Sequence, residues 1–189
     1  MISERHPLEP FIPENARVLF LGSFPPPKKR WCMEFFYPNW LNDHWRIEGL
    51  VFYADRDHFA DTARKVFLKE KIVEHCTRLG IAFYDTATEV RRIKENASDK
   101  FLEVVQPTDI EALIGRIPTL RAIVTTGEKA TETLCETLRI ATIPKVNTCV
   151  SIPSHPKLDL YRLPSSSRAY PLSLEKKAEA YDAMFSRYL

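Results

Sequence analysis

Residues 17–47 read RVLFLGSFPPPKKRWCMEFFYPNWLNDHWRI, and the fold follows from how this stretch divides. Val18-Leu19-Phe20-Leu21 is an apolar run of strand length. Gly22-Ser23 ends it, and Pro25-Pro26-Pro27 forbids both helix and continued sheet. Lys28, Lys29 and Arg30 follow, and then the rings of Trp31, Phe35, Phe36, Tyr37, Trp40 and Trp45, which include all three tryptophans of the chain. A buried strand therefore opens on a stiff loop, then cations, then flat rings. In open α/β sheets a ligand sits where strand ends meet loops. Cations suit phosphate, and rings suit stacked bases. The same stretch also reads as a first strand with an aromatic crossover packed into the core, and composition leaves both readings open.

Working outward, residues 1–16 form a Pro-punctuated lead-in to that strand. Beyond it, Phe59, Ala63, Val66, Phe67, Val73, Cys76 and Leu79 mark one helical face between Asp57 and Leu79, with Gly80 placed to end the helix. Ile81–Tyr84 reads as a second strand ending at Asp85. Residues 87–100 are polar. Thr108-Asp109-Ile110-Glu111 has capping-box spacing and opens a short helix to about Gly115. Arg121–Thr125 is a third strand, followed by Gly127 and a helix over Glu128–Leu138. Val146–Ile152 is a fourth strand, and Asp159–Leu163 a short strand or an extended lead-in to Pro164. Ser173 caps a final helix whose stripe is Leu174, Ala178, Tyr181 and Phe185. Strand and helix alternate, which implies βαβ units and a mostly parallel sheet.

The 189 residues suit one domain with a sizeable core. With 44% hydrophobic and 28% charged residues the composition is that of a packed globular protein. The net charge of +2 is too small to argue globally for nucleic acid, so that argument must be local. No run reaches the roughly 18 apolar residues of a membrane span, and the N-terminus lacks a signal peptide's apolar stretch, so the expected location is the cytoplasm. The four cysteines are scattered without a CxxC pair, which supports neither a disulfide framework nor zinc. There is no P-loop, and no GxGxxG either, so a dinucleotide cofactor has no support.

Several polar residues can carry chemistry. In Asn42-Asp43-His44 the amide can orient a water, the carboxylate can accept its proton and the imidazole can serve as acid or base; Asn-Asp is equally a helix cap. Asp85 ends a strand at the mouth of the sheet, where it can accept a ligand's N–H groups or cap the next turn. His155-Pro156 reads as loop. Ser165-Ser166-Ser167 has no GxSxG elbow; with Arg168 it suits phosphate contact through hydroxyls, backbone N–H groups and a cation.

These residues resemble the uracil-DNA glycosylase superfamily, and within it the branch of hypoxanthine-DNA glycosylases and mismatch-specific uracil glycosylases. Gly22-Ser23-Phe24-Pro25-Pro26 is similar to that branch's G-S-M-P-G motif, and Tyr37–Trp45 to its Y-A-x-P-x-N-x-F-W. Gly80–Asp85 is similar to G-I-x-x-W-D, and Leu163–Ala169 to L-P-S-T-S-P-A. Ala97-Ser98-Asp99, Pro118–Ala122 and Gly127–Ala130 look like the middle of such a chain. No single motif is specific; their order and register are. The departures are definite. Phe24 stands where many members carry a water-activating Asp or Asn, Pro26 replaces Gly, Trp40 replaces Pro, His44 replaces Phe and Arg168 replaces Pro.

The resemblance implies a single three-layer αβα domain over residues 1–189, with a short, mostly parallel four-stranded sheet. It implies a cofactor-free, metal-free monomer that excises uracil or hypoxanthine from DNA, with a catalytically silent nucleic-acid or nucleotide binder on the same fold as the alternative. Catalysis would fall to Asn42, with Asp43 as its competitor. Gly22, Ser23, Phe24, Tyr37 and Asp85 would form the base pocket, and Ser165, Ser166, Ser167 and Arg168 would meet the DNA strand.

Overall fold

The computed structural model describes residues 3–93 and 101–189; Lys94 and the Ala97-Ser98-Asp99 motif lie outside the described residues. The three apolar runs read from sequence become wholly or almost wholly buried strands: β2 (Val18–Gly22), β5 (Ile81–Asp85) and β8 (Ala122–Thr126). Such near-continuous burial is what a parallel sheet covered on both faces demands. Strand β1 (Glu4–Arg5) belongs elsewhere, as do β3 (Ala60–Asp61), β4 (Val66–Phe67), β6 (Ala87–Arg92) and β7 (Leu102–Pro107). The main sheet is completed by β9 (Thr148–Ile152) and β10 (His155–Leu163).

Its order is β5-β2-β8-β10-β9. β5, β2, β8 and β10 run parallel, and β9 closes the edge antiparallel to β10. The sheet thus has five strands, not four. Val146–Ile152 and Asp159–Leu163 are two arms of one hairpin, and His155 opens the second arm instead of sitting in a loop.

Phe20 of β2 stacks on Phe83 of β5 and on Tyr181 and packs edge-on to His44. The helices α1 (His44–Tyr53) and α5 (Leu174–Tyr188) therefore cover that face. Leu21 is paired with Thr125, whose hydroxyl meets that of Thr131 at 2.8 Å on α4 (Glu128–Thr137). Paired residues share a face, so α4 covers the opposite side and the architecture is three-layered.

Two readings from sequence shift. The face expected over residues 57–79 is helical only from α2 (Lys69–Leu79) onward. Before it, β3 and β4 form a small hairpin; Phe67 on β4 and Phe59, in the turn before β3, are buried, and Ala63 is exposed. The short helix α3 (Ile110–Gly115) is capped by Asp109, which accepts from Ala112 N at 2.9 Å. Thr108 turns instead to the Asp85 carbonyl, donating at 2.7 Å. Of the polar stretch after Thr86, residues 87–92 form β6, which pairs with β7, and β1 adds to β6. The lead-in is likewise structured. Phe11 and Phe83 exchange backbone hydrogen bonds, which covers the outer edge of β5. Among the described residues no helix is long and apolar enough to cross a membrane.

Candidate functional site at the C-terminal edge of the sheet

The C-terminal ends of β2, β5, β8 and β10 open onto one cleft of about 1260 Å³. Gly22, Ser23, Phe24, Tyr37, Asn42, Asp85, Ser165, Ser166, Ser167 and Arg168 all line it. Parallel β2 and β5 bring Gly22 and Asp85 side by side. A Cβ on Gly22 would stand 2.4 Å from Asp85 Oδ1, so glycine is required for the carboxylate to occupy this place.

Tyr37 holds a φ of 49°, a left-handed backbone that costs a bulky L residue about 1–2 kcal/mol. Its ring is fixed from two sides. The hydroxyl pairs with Thr126 Oγ1 at 2.8 Å, and the His44 ring lies parallel to it at 3.9 Å. His44 is fully buried and begins an unusual chain of polar groups. Its Nε2 is 2.8 Å from Glu48 Oε1, outside hydrogen-bond geometry. Glu48 Oε2 has the better-aligned partner, His75 Nε2 at 2.8 Å. The other His75 nitrogen meets Tyr53 Oη at 3.0 Å, and Arg78 donates to that hydroxyl at 2.9 Å. Burial alone would raise the Glu48 carboxyl; His44 and His75 override it and hold it at about 2.

Asn42 Oδ1 accepts from His44 N at 2.9 Å, so the amide starts α1 while still bordering the cleft. A carbonyl oxygen has a second lone pair, and the NH₂ group remains. Asp43 is different. It lies just behind the cleft wall, 6% exposed, with Oδ1 facing Arg168 at 3.2 Å and Oδ2 facing Lys177 at 3.4 Å. Arg46 stands 3.9 Å away. Lys177 also donates to the Ser167 carbonyl at 2.8 Å, and Asp43 N donates to Ser166 O at 2.8 Å. Asn42 and Ser167 form a β-bridge. The 37–45 segment and the serine loop are thereby clasped, with Asp43 as the rivet.

Within the serine loop, Ser166 is buried. Ser165 Oγ accepts from Ser167 N and Ser167 Oγ from Ala169 N, so these hydroxyls hold the loop's own backbone. Arg168 is half exposed. Arg30, Lys129 and Arg162 also line the cleft. Phe24 is almost buried, in a small cluster with Ala87, Val90 and Leu102.

Sequence reasoning missed His6, Thr126, Glu48, His75 and Lys177. Two of these had a signal: Glu48 is four residues after His44, and Lys177 falls within the apolar stripe of the last helix. His6 had none, because its partner Asp85 is 79 residues away. His155 pairs with Glu111 on the surface and does not line the cleft. Among the described residues no cluster of His, Cys, Asp and Glu could hold a metal ion.

No protein-family model matches the chain, and no curated protein matches it. Solved structures do. The solution NMR structure of a "putative Uracil DNA glycosylase" from Methanosarcina acetivorans superposes with a TM-score of 0.65 at 21% identity, covering 98% of each chain. The fold is a uracil-DNA glycosylase-like fold. That likeness extends over the lead-in as well as the sheet, since nearly all of both chains is included.

Proposed function

We propose that the chain is a monofunctional DNA N-glycosylase that hydrolyses the N-glycosidic bond of a deaminated base, uracil or hypoxanthine, flipped out of DNA. The observation that carries this reading is convergence: five separate stretches that resemble glycosylase motifs, Gly22–Pro26, Tyr37–Trp45, Gly80–Asp85, Gly127–Ala130 and Leu163–Ala169, border one cleft at the C-terminal edge of the sheet. One solved structure with this fold is described as a "putative Uracil DNA glycosylase", which supports the same reading.

Flipping costs roughly a few kcal/mol. Stacking on Tyr37, whose far face is clamped by His44, offsets roughly 1–3 kcal/mol of it. Breaking the bond builds positive charge on the sugar. The Asn42 carbonyl holds the attacking water and lies near that charge, acting by orientation and electrostatics because a neutral amide removes no proton outright. The water oxygen bonds to the sugar carbon, the base departs with the glycosidic electron pair, and the proton that the water loses passes through solvent to the departed base. Asp85 reads the base edge, and the serine loop with Arg168 holds the strand. The protein acts as a monomer without metal or cofactor.

A second reading, a catalytically silent nucleic-acid binder, is favoured by two observations: Phe24 is packed in a hydrophobic cluster, and the Asn42 carbonyl already accepts one backbone N–H. One assay separates them. Labelled duplexes carrying uracil or hypoxanthine are incubated with the protein and probed for alkali-labile abasic sites. Cleavage supports the glycosylase; binding without cleavage supports the silent reader.

A further inference from the structure

His6 is delivered to Asp85, behind the cleft lining, by backbone pairing. β1 pairs with β6, and His6 N donates to Thr88 O at 2.8 Å. The imidazole is buried, 2% exposed, with Nε2 2.8 Å from Asp85 Oδ2. Its Nδ1 is 3.1 Å from Leu8 N and 2.8 Å from Leu8 O. The neutral tautomer that accepts from Leu8 N–H therefore carries its proton on Nε2 and donates it to Asp85. The rings of Phe24 and Tyr84 pack against His6, so the imidazole has little room to turn. The Asp85 backbone is held too, its carbonyl bonded by Thr108.

Asp85 borders the cleft, and His6 occupies one of its two oxygens. The other, Oδ1, is over Gly22 and has no hydrogen-bond partner among the described residues. We propose that His6 is a positioning residue for Asp85: by taking Oδ2 it turns Oδ1 into the cleft as a fixed acceptor and restricts the cleft to bases that present an imino N–H. This rests on the glycosylase reading for the identity of the ligand as a base. Uracil and hypoxanthine both carry a ring N–H beside a carbonyl. Cytosine and adenine carry a ring-nitrogen lone pair there and place their donor one position outward. An oxygen positioned for the imino proton meets that lone pair and repels it.

The same geometry makes a reciprocal demand. In Asp85→Asn, the His6 N–H can be met only by the amide oxygen, so the amide NH₂ faces the cleft and the acceptor becomes a donor. Removing the His6 donor frees the amide to turn back. The test uses the full chain with two readouts: ligand-observed NMR binding of free uracil, hypoxanthine, cytosine and adenine, and excision from duplexes carrying each base. His6→Phe is expected to narrow the preference for uracil and hypoxanthine over cytosine and adenine at least 10-fold. His6→Gln, whose amide N–H can replace Nε2–H, is expected to stay within a few-fold of the parent. Asp85→Asn is expected to lose at least 10-fold in uracil or hypoxanthine binding, and the His6→Phe/Asp85→Asn double variant to regain part of it. An unchanged preference in His6→Phe, an Asp85→Asn loss that is the same with and without His6, or a parent that binds neither free uracil nor free hypoxanthine overturns the proposal. Free-base binding needs no cleavage. If it follows this pattern while no duplex is cut, the glycosylase reading fails and the positioning role stands; if duplexes are cut without the pattern, only the positioning role fails.

Discussion

Helix α1 begins between two buried carboxylates that are satisfied in opposite ways. Asp43, at its first turn, is held by Lys177, Arg168 and, farther off, Arg46. Glu48, one turn in, is held by two histidines. Each of the first set of partners comes from a different segment, so the Asp43 corner binds loops together. The second set consists of rings that also pack: His44 lies against Tyr37, and His75 against Phe52 and Phe59. One corner fastens the rim of the cleft, and the other supports its wall from behind. A buried carboxylate adjacent to a candidate site is thus no sign of a general base; what matters is whether its oxygens are already taken.

The sharpest way to break the comparison is at the neighbouring pair Asn42 and Asp43. Asn42→Ala is expected to lower the single-turnover excision rate by roughly 10²–10⁴-fold while costing about 1 kcal/mol of stability, the worth of the lost hydrogen bond from His44 N. Asp43→Ala is expected to show the reverse emphasis in urea unfolding, a loss of roughly 3–5 kcal/mol, because Lys177 is left buried beside a missing partner. If Asp43→Ala loses rate at full stability while Asn42→Ala keeps both, the chemistry belongs to the carboxylate.

Glu48→Gln should cost less, about 1.5–3 kcal/mol, since an amide can still accept from one imidazole. Acid sharpens the point. Glu48 is held at about 2 against an ordinary 4.5, so the stability it confers is complete above about pH 4.5 and is lost as pH falls toward 2. Stability measured across that interval should fall less steeply in Glu48→Gln than in the parent. Equal slopes would show that another carboxylate governs the acid limb.

Tyr37 tests what the Glu48 corner supports. Tyr37→Phe removes the Thr126 bond at a cost of about 1 kcal/mol, with excision largely retained; Tyr37→Ala also removes the stack, worth roughly 1–3 kcal/mol more. Equal rate losses in the two variants would assign the effect to the hydroxyl. The smallest stability change is expected for Arg168→Ala. Its side chain is 46% exposed, so the pair with Asp43 is worth up to about 1 kcal/mol. Its salt dependence is the better measure: losing one phosphate contact reduces the slope of log affinity against log salt by about 0.9.

The sheet was legible because its strands announce themselves. Val18–Leu21, Ile81–Tyr84 and Ala122–Val124 are apolar runs ended by Gly, Asp and Thr, and a strand buried on both faces has no alternative composition. Helix α1 was not legible as a helix. His44, Trp45, Arg46, Ile47, Glu48 and Gly49 are all buried, so it lacks the polar face that reveals a period, and only its Asn-Asp start showed. The cleft lining was legible through the motif resemblance, including Tyr37, Asn42 and Asp85. Its supports were not, since the links from Asp85 to His6 and from Asp43 to Lys177 span 79 and 134 residues, and no local pattern encodes a partner at such distance.

That last separation also orders events in time. A ribosome emits Asn42 and Asp43 long before Lys177. A growing chain can therefore pair β2, β5 and β8 while the rim of its cleft is still unfastened and the face that α5 covers is still open, because the rivet's partner has not been made. Closing so long a loop carries an entropic cost met only by the contacts α5 brings. The cleft rim is accordingly among the last parts of the molecule to be fastened, and a chain interrupted before α5 would lack both the rivet's partner and the cover over one face of its sheet.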